Sequence, residues 1–237
     1  MDEPLTPPPF IPSPEYLARV KRFDDAVALR KPDRVPVASL AAFFVTRYAG
    51  LTNAEAMRDY DRMAEAWKYT TQTLNWDMAP PPFTIFAGPV FQKLGLRTFK
   101  WPGQHFGDNL PYQFVEEEYM LADEYDEFLA NPSDFVVRKM MPRMATTLQP
   151  LGMLPPLHWL SSGYTLFMLG SAVASAPPFA AMLRQIIEVG EEMAQWNGMQ
   201  ARLGMELAEM GYPMITAAFA EAPFDWMSDM FRGLRGA

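Results

Sequence analysis

The side chains that could move a proton, hold an anion or bind a metal are few. There is no cysteine, which excludes thiolate nucleophiles, disulfides and Cys-ligated zinc or iron–sulfur centres within these residues. Histidine occurs only at His105 and His158, so a nucleophile–histidine–acid triad would have to use one of two bases, and a conventional metal site would need both histidines plus carboxylates. Asp77 follows the strand-like run Leu74, Asn75, Trp76 and precedes Pro80 to Pro82. It therefore reads either as a carboxylate presented at the end of a strand or as a turn aspartate bonding its own backbone. Arg47 and Tyr48 come just after the apolar run Leu40 to Val45, and the guanidinium there could grip a ligand's acid groups or pair with a nearby surface acid. His158, beside Trp159 and after Pro155 and Pro156, lies in uncharged surroundings that predict partial burial. It fits a hydrogen-bond donor or general acid, and equally a structural histidine. His105, in the turn from Pro102 to Asp108, reads as an exposed loop residue.

Charge narrows the partners. With 20 basic against 28 acidic side chains the net charge is -8, which is a poor footprint for nucleic acid. The acidic run from Glu116 to Asp134 reads as a solvated helix face and its flanks. No residue between Arg143 and Arg184 is formally charged, a stretch of forty. Its part from Leu157 to Ala176 is as long as a membrane span requires, but the serines at 161, 162, 171 and 175 and the proline pairs at 155/156 and 177/178 weigh against one. Buried strand and loop material is the expectation, with no membrane contact. Residues 1–14 contain six prolines and read as an extended arm rather than a secretory signal, so a cytoplasmic protein is expected.

The elements that must hold these groups show through their periodicity. Apolar residues at three- and four-residue spacing predict helices from Pro14 to Arg30, from Asn53 to Leu74 with Thr52 or Asn53 as cap, and from Pro177 toward Met210, ended by Gly211. Between them lie five strand candidates: Arg34 to Leu40, Asn75 to Ala79, Arg97 to Trp101, Tyr112 to Glu116 and Tyr212 to Phe219. Strands alternating with long helices predict an α/β fold with parallel pairing. One domain, 15–237, follows the arm. The 18 methionines read as fillers of irregular core gaps.

Three ordered stretches carry a family resemblance: RFDDAVALRKPDRVPVASL from Arg22 to Leu40, EYDEFLANPSDFVVRKMMPR from Glu124 to Arg143, and ELAEMGYPMITAAFAEAPFDWMSDMFRGLRG from Glu206 to Gly236. Together they resemble the uroporphyrinogen decarboxylase superfamily, on its branch of corrinoid-dependent methyltransferases. The resemblance implies a TIM-type (β/α)8 barrel, here incomplete because the family's sequence continues past Gly236, with the cleft at the C-terminal ends of the strands. It implies methyl transfer between a small substrate or thiol and a cobalamin carried on a partner protein, with zinc ligands in the part that follows. A homodimer is one assembly it admits. Uroporphyrinogen decarboxylation is the alternative activity, and a non-catalytic module binding a tetrapyrrole or a partner is a third reading. Asp77 resembles the decarboxylase aspartate that holds pyrrole NH groups, and Arg47 with Tyr48 resembles its arginine-bearing substrate loop. Ala41 departs from that pattern, which has an arginine four residues after the Pro-Val pair.

Overall fold

The computed structural model describes residues 10–82, 85–214 and 222–236. It is 61% helical, and the only sheet among the described residues is two-stranded and antiparallel. The TIM-type barrel is thus overturned, whole or partial. Proline is the physical reason in the first two segments and the fifth: Pro36 and Pro213 interrupt two of them and Pro80 to Pro82 stop the other at Ala79, and a residue without an N–H cannot extend a ladder. Among the described residues parallel pairing occurs only as single bridges, Ala38 with Met78, Ala79 with Met214 and, within one turn, Pro102 with Phe106. The fifth candidate beyond Met214, and the arm before Phe10, lie outside the described residues.

The chain divides into two compact units, where one domain was expected. The first comprises 1–51, 59–85 and 197–217. Its opening helix, Pro14–Val27, starts with Ser13 accepting from Tyr16 N at 3.1 Å and a proline in the first turn. A short helix, Phe44–Tyr48, packs on Tyr60–Leu74. The helix expected from Asn53 to Leu74 is broken. Asn53–Ala56 carries a complete capping box between Thr52 and Glu55, and Asp59 caps a new helix by accepting from Arg62 N at 3.0 Å. Trp67, Met63, Leu203 and Leu207 are fully buried in this unit, and the Trp67 indole donates to Pro80 O at 2.7 Å. Lys68 joins Glu206 at 2.6 Å, tying Tyr60–Leu74 to the C-terminal portion of the long helix Pro177–Glu209.

The second unit comprises 52–58, 86–196 and 218–237. Strand β1 (Phe99–Lys100) pairs with β2 (Gln113–Phe114). Phe86, Phe91, Phe99, Trp101, Tyr112 and Phe114 gather on this hairpin with ring centroids 4.5–6.3 Å apart, the spacing of attractive aromatic pairs. A second core joins Tyr119, Met120, Phe135, Met140 and Phe231. Burial pushes the Tyr119 phenol up to about 12.

Glu124 locks this second core from outside. Both its oxygens accept from the Arg143 guanidinium at 2.7 Å, and Leu121 N donates to it at 2.8 Å. Arg143 also donates to Tyr119 O at 2.7 Å. The hydrogen bonds from Arg143 hold the Glu124 carboxyl down at about 2, against an ordinary value near 4.3. Because the folded value is depressed, the stabilisation is complete above about pH 4.5 and is lost as pH falls toward 2. Glu124→Gln should lower stability at neutral pH by about 1.5–3 kcal/mol and flatten the loss between about pH 4.5 and 2. Melting temperatures of both proteins across that range check it, and parallel curves would refute it.

Among the described residues no single helix is long and apolar enough to cross a membrane.

Candidate functional site

Asp77 is the best-defined polar centre of the first unit, and its carboxylate is fully buried. Oδ1 accepts from Arg22 Nη1 at 2.6 Å and Arg34 Nη2 at 2.5 Å, while Oδ2 accepts from Val37 N at 2.8 Å. Arg22 reaches it because Pro14–Val27 turns that face toward the segment, its guanidinium being only 11% exposed. The same guanidinium grips Asp33 through two further hydrogen bonds of 2.6 Å. That fork holds the Asp33 carboxyl at about 2 and raises the Arg22 value. Backbone bonds finish the joint: Asp77 N and Met78 N donate to Val37 O, and Ala79 N donates to Pro213 O.

One turn earlier on the same helix, Arg19 makes a second clasp. It donates to Gly211 O and Asn75 Oδ1, both at 2.9 Å, and lies 4.1 Å over the Tyr212 ring. Asn75 and Gly211 hold left-handed backbone, φ 47° and 86°, the conformations that end helices in asparagine and glycine.

This geometry gives Asp77 a positioning task. It stands one residue before the paired Met78 and Ala79, at the start of that segment, and both its oxygens are taken by the protein. The sequence reading missed Arg22 and Arg34 as its partners, and Asp33 as the second acid on Arg22. The available signal was that Arg19 and Arg22 lie three apart on one helix face, where two arginines need acceptors.

Arg47 is exposed at the end of Phe44–Tyr48. The Tyr48 ring stacks on Phe44 at 5.5 Å and lies 6.1 Å from Tyr69, and all three are 41–52% exposed. A cavity of about 270 Å³ adjoins Tyr69, lined also by Ala49, Leu51, Arg62, Glu65 and Ala66. The apolar run before Arg47 enters this helix through Ala41 and Ala42, both at positive φ.

His158 belongs to the second unit and is exposed rather than partly buried, its ring 6.3 Å from that of Trp159. His105 is exposed as expected; its Nδ1 accepts from Trp101 N at 2.9 Å, which places the proton of the neutral ring on Nε2. The second unit holds a larger cavity, about 500 Å³, whose lining from Thr146 to Gln185 carries no charge. Among the described residues no group of three or more His, Asp or Glu comes together to hold a metal ion. The zinc ligands implied by the resemblance are expected in the part of the family's sequence that follows Gly236, beyond these residues.

Comparison with family models, with curated proteins and with solved structures returns no match in any of the three.

Proposed function

We propose that this chain works in the chemistry of the uroporphyrinogen decarboxylase superfamily, on the side of its corrinoid-dependent methyltransferase-like branch. Its part is that of a cytoplasmic binding component that contacts a corrinoid presented by a partner protein. The observation that supports this reading is the adjacency of resembling stretches far apart in sequence. Val37, from the Arg22 to Leu40 stretch, and Pro213, from the Glu206 to Gly236 stretch, each accept backbone hydrogen bonds from the segment that begins with Asp77. The Asp77 carboxylate, held by Arg22, Arg34 and Val37 N, supports a binding part in this reading.

The groups free to meet a flat macrocycle are the rings of Phe44, Tyr48 and Tyr69, with Arg47 at their edge for polar or acidic side chains of the ring. Titration of the chain with methylcobalamin, followed by equilibrium dialysis, tests the reading. Saturable binding is expected, weakened about threefold to tenfold by Tyr48→Ala and further by adding Arg47→Ala. No saturation, or binding indifferent to both substitutions, would defeat it. The non-catalytic tetrapyrrole-binding reading shares this surface, and tighter binding of uroporphyrin than of methylcobalamin would favour it.

A further inference from the structure

The forty-residue stretch without formal charge is the largest feature that this function leaves unused. Its middle, Leu157 to Ser175, was expected as buried strand and loop. It is helical instead, through Leu157–Ser161, Gly163–Thr165, the π-helical Leu166–Gly170 and Ser171–Ser175, and it contains no buried residue. Val173 and Ala176 pack against the cluster of Ala145, Leu148, Phe179 and Met182, which roots the segment. Away from that root Trp159, Tyr164, Leu166, Phe167 and Met168 are each more than half exposed, Tyr164 and Phe167 to 74%. An apolar surface of this density marks an interaction site.

Two observations identify what covers it. The first is charge. A nucleic acid needs cations and a protein partner's interface carries a polar rim, yet residues 144–183 carry no formal charge, and the charges that touch the segment, Asp134 on Leu157 N and Arg138 on Leu154 O, are paired with each other at its N-terminal end. Hydrocarbon is the medium that an uncharged surface complements. The second is the state of the hydroxyls. Ser161 donates to His158 O at 2.7 Å, Thr165 to Ser162 O at 3.0 Å, Ser175 to Ala172 O at 2.9 Å, and Ser171 to Phe167 O. Ser162 Oγ accepts from Thr165 N at 3.4 Å. Four of the five hydroxyls of the segment thus donate to its own backbone, and the fifth, on Ser162, accepts from it. Such local bonds occur in water as well, and they are what a hydrocarbon environment requires.

We propose that Leu157 to Ser175 is a one-leaflet membrane anchor, its apolar side chains in the acyl region of a bilayer and its Trp159 and Tyr164 rings at headgroup level. The geometry limits it to one leaflet. Gly163–Ser175 meets Pro177–Glu209 at 84°, and thirteen helical residues extend only about 20 Å against a hydrocarbon core of about 30 Å. Most interfacial helices add lysines and arginines that seek anionic lipid. The segment itself has none, and the neighbouring Arg138 is paired with Asp134, so adsorption depends mainly on apolar burial.

Flotation of the full chain with pure phosphatidylcholine vesicles tests this. The chain should float with the vesicles equally in about 0.1 M and about 1 M salt, with no gain on adding phosphatidylserine, and brominated lipid should quench tryptophan fluorescence. The double substitution Leu166→Glu and Phe167→Glu should reduce flotation about tenfold or more while leaving the circular dichroism spectrum and melting temperature unchanged. Flotation that requires phosphatidylserine or disappears in high salt would overturn the proposal. So would a chain that stays with the soluble fraction, whether as a monomer or as a concentration-dependent dimer that the double substitution dissociates; the dimer would assign the face to a second copy.

Discussion

Alanine at position 77 should remove about 3–5 kcal/mol of stability from the first unit. The Asp77 carboxylate is fully buried and accepts from two guanidinium groups, one on a side chain only 11% exposed. Removing it leaves that side chain, Arg22, with Asp33 alone, and leaves the Val37 N–H without its acceptor. Arg34, with 43% of its side chain exposed, can turn to water, so Arg34→Ala should cost less than about 1 kcal/mol. Urea denaturation of the two variants beside the parent checks the ordering. An Asp77→Ala protein within about 0.5 kcal/mol of the parent would show that the carboxylate is not an anchor, and would return it to the candidates for ligand chemistry.

The other large effect is an absence of turnover. Incubated anaerobically with uroporphyrinogen, the purified chain should yield no decarboxylated products. Protonation of the macrocycle creates a cation, and stabilising it requires a fixed anion aimed at the ring. Asp77 is aimed at Arg22 and Arg34 instead, at 2.6 and 2.5 Å. In addition, the resemblance places an arginine where this chain has Ala41, and losing one charged hydrogen bond to a substrate carboxylate costs about 1.5–3 kcal/mol, or one to two orders of magnitude in binding. Progressive appearance of products with fewer carboxylates, abolished in a folded Asp77→Asn protein, would reverse the conclusion and make decarboxylation the activity.

Local signals in the sequence were legible where a local cause determined the structure. The Pro14 helix, the Thr52 cap, and the long helix from Pro177 with Gly211 just past its end follow from caps, prolines and 3.6-residue periodicity. All five strand candidates contain at least one residue in a β bridge or strand. Their pairing was not legible, because it depends on which partner lies opposite: Arg97 to Trp101 and Tyr112 to Glu116 met antiparallel across a turn, and the proline-bearing segments reached only single bridges. The Asp59 restart was visible only as a good capping residue inside an apolar pattern that ran past it. Asp77 was singled out, but its partners lie 43 and 55 residues away, and resemblance assigned it a ligand where the fold assigned it arginines. For Leu157 to Ser175 the apolar composition predicted buried strand and loop, and the segment is instead helical and exposed, because apolar composition alone fixes neither the secondary structure nor what covers it.

Both units are assembled from stretches that are discontinuous in sequence, and this sets a clock during synthesis. Ala79 N cannot reach Pro213 O until more than a hundred further residues have been polymerised, which at about 5–20 residues per second takes roughly 6–30 s. For that interval the helices from Pro14 to Leu74 stand without the C-terminal part of Pro177–Glu209 and its buried Leu203 and Leu207. The nascent chain leaves the ribosome with its first core open, in the period when a holding chaperone has most to offer.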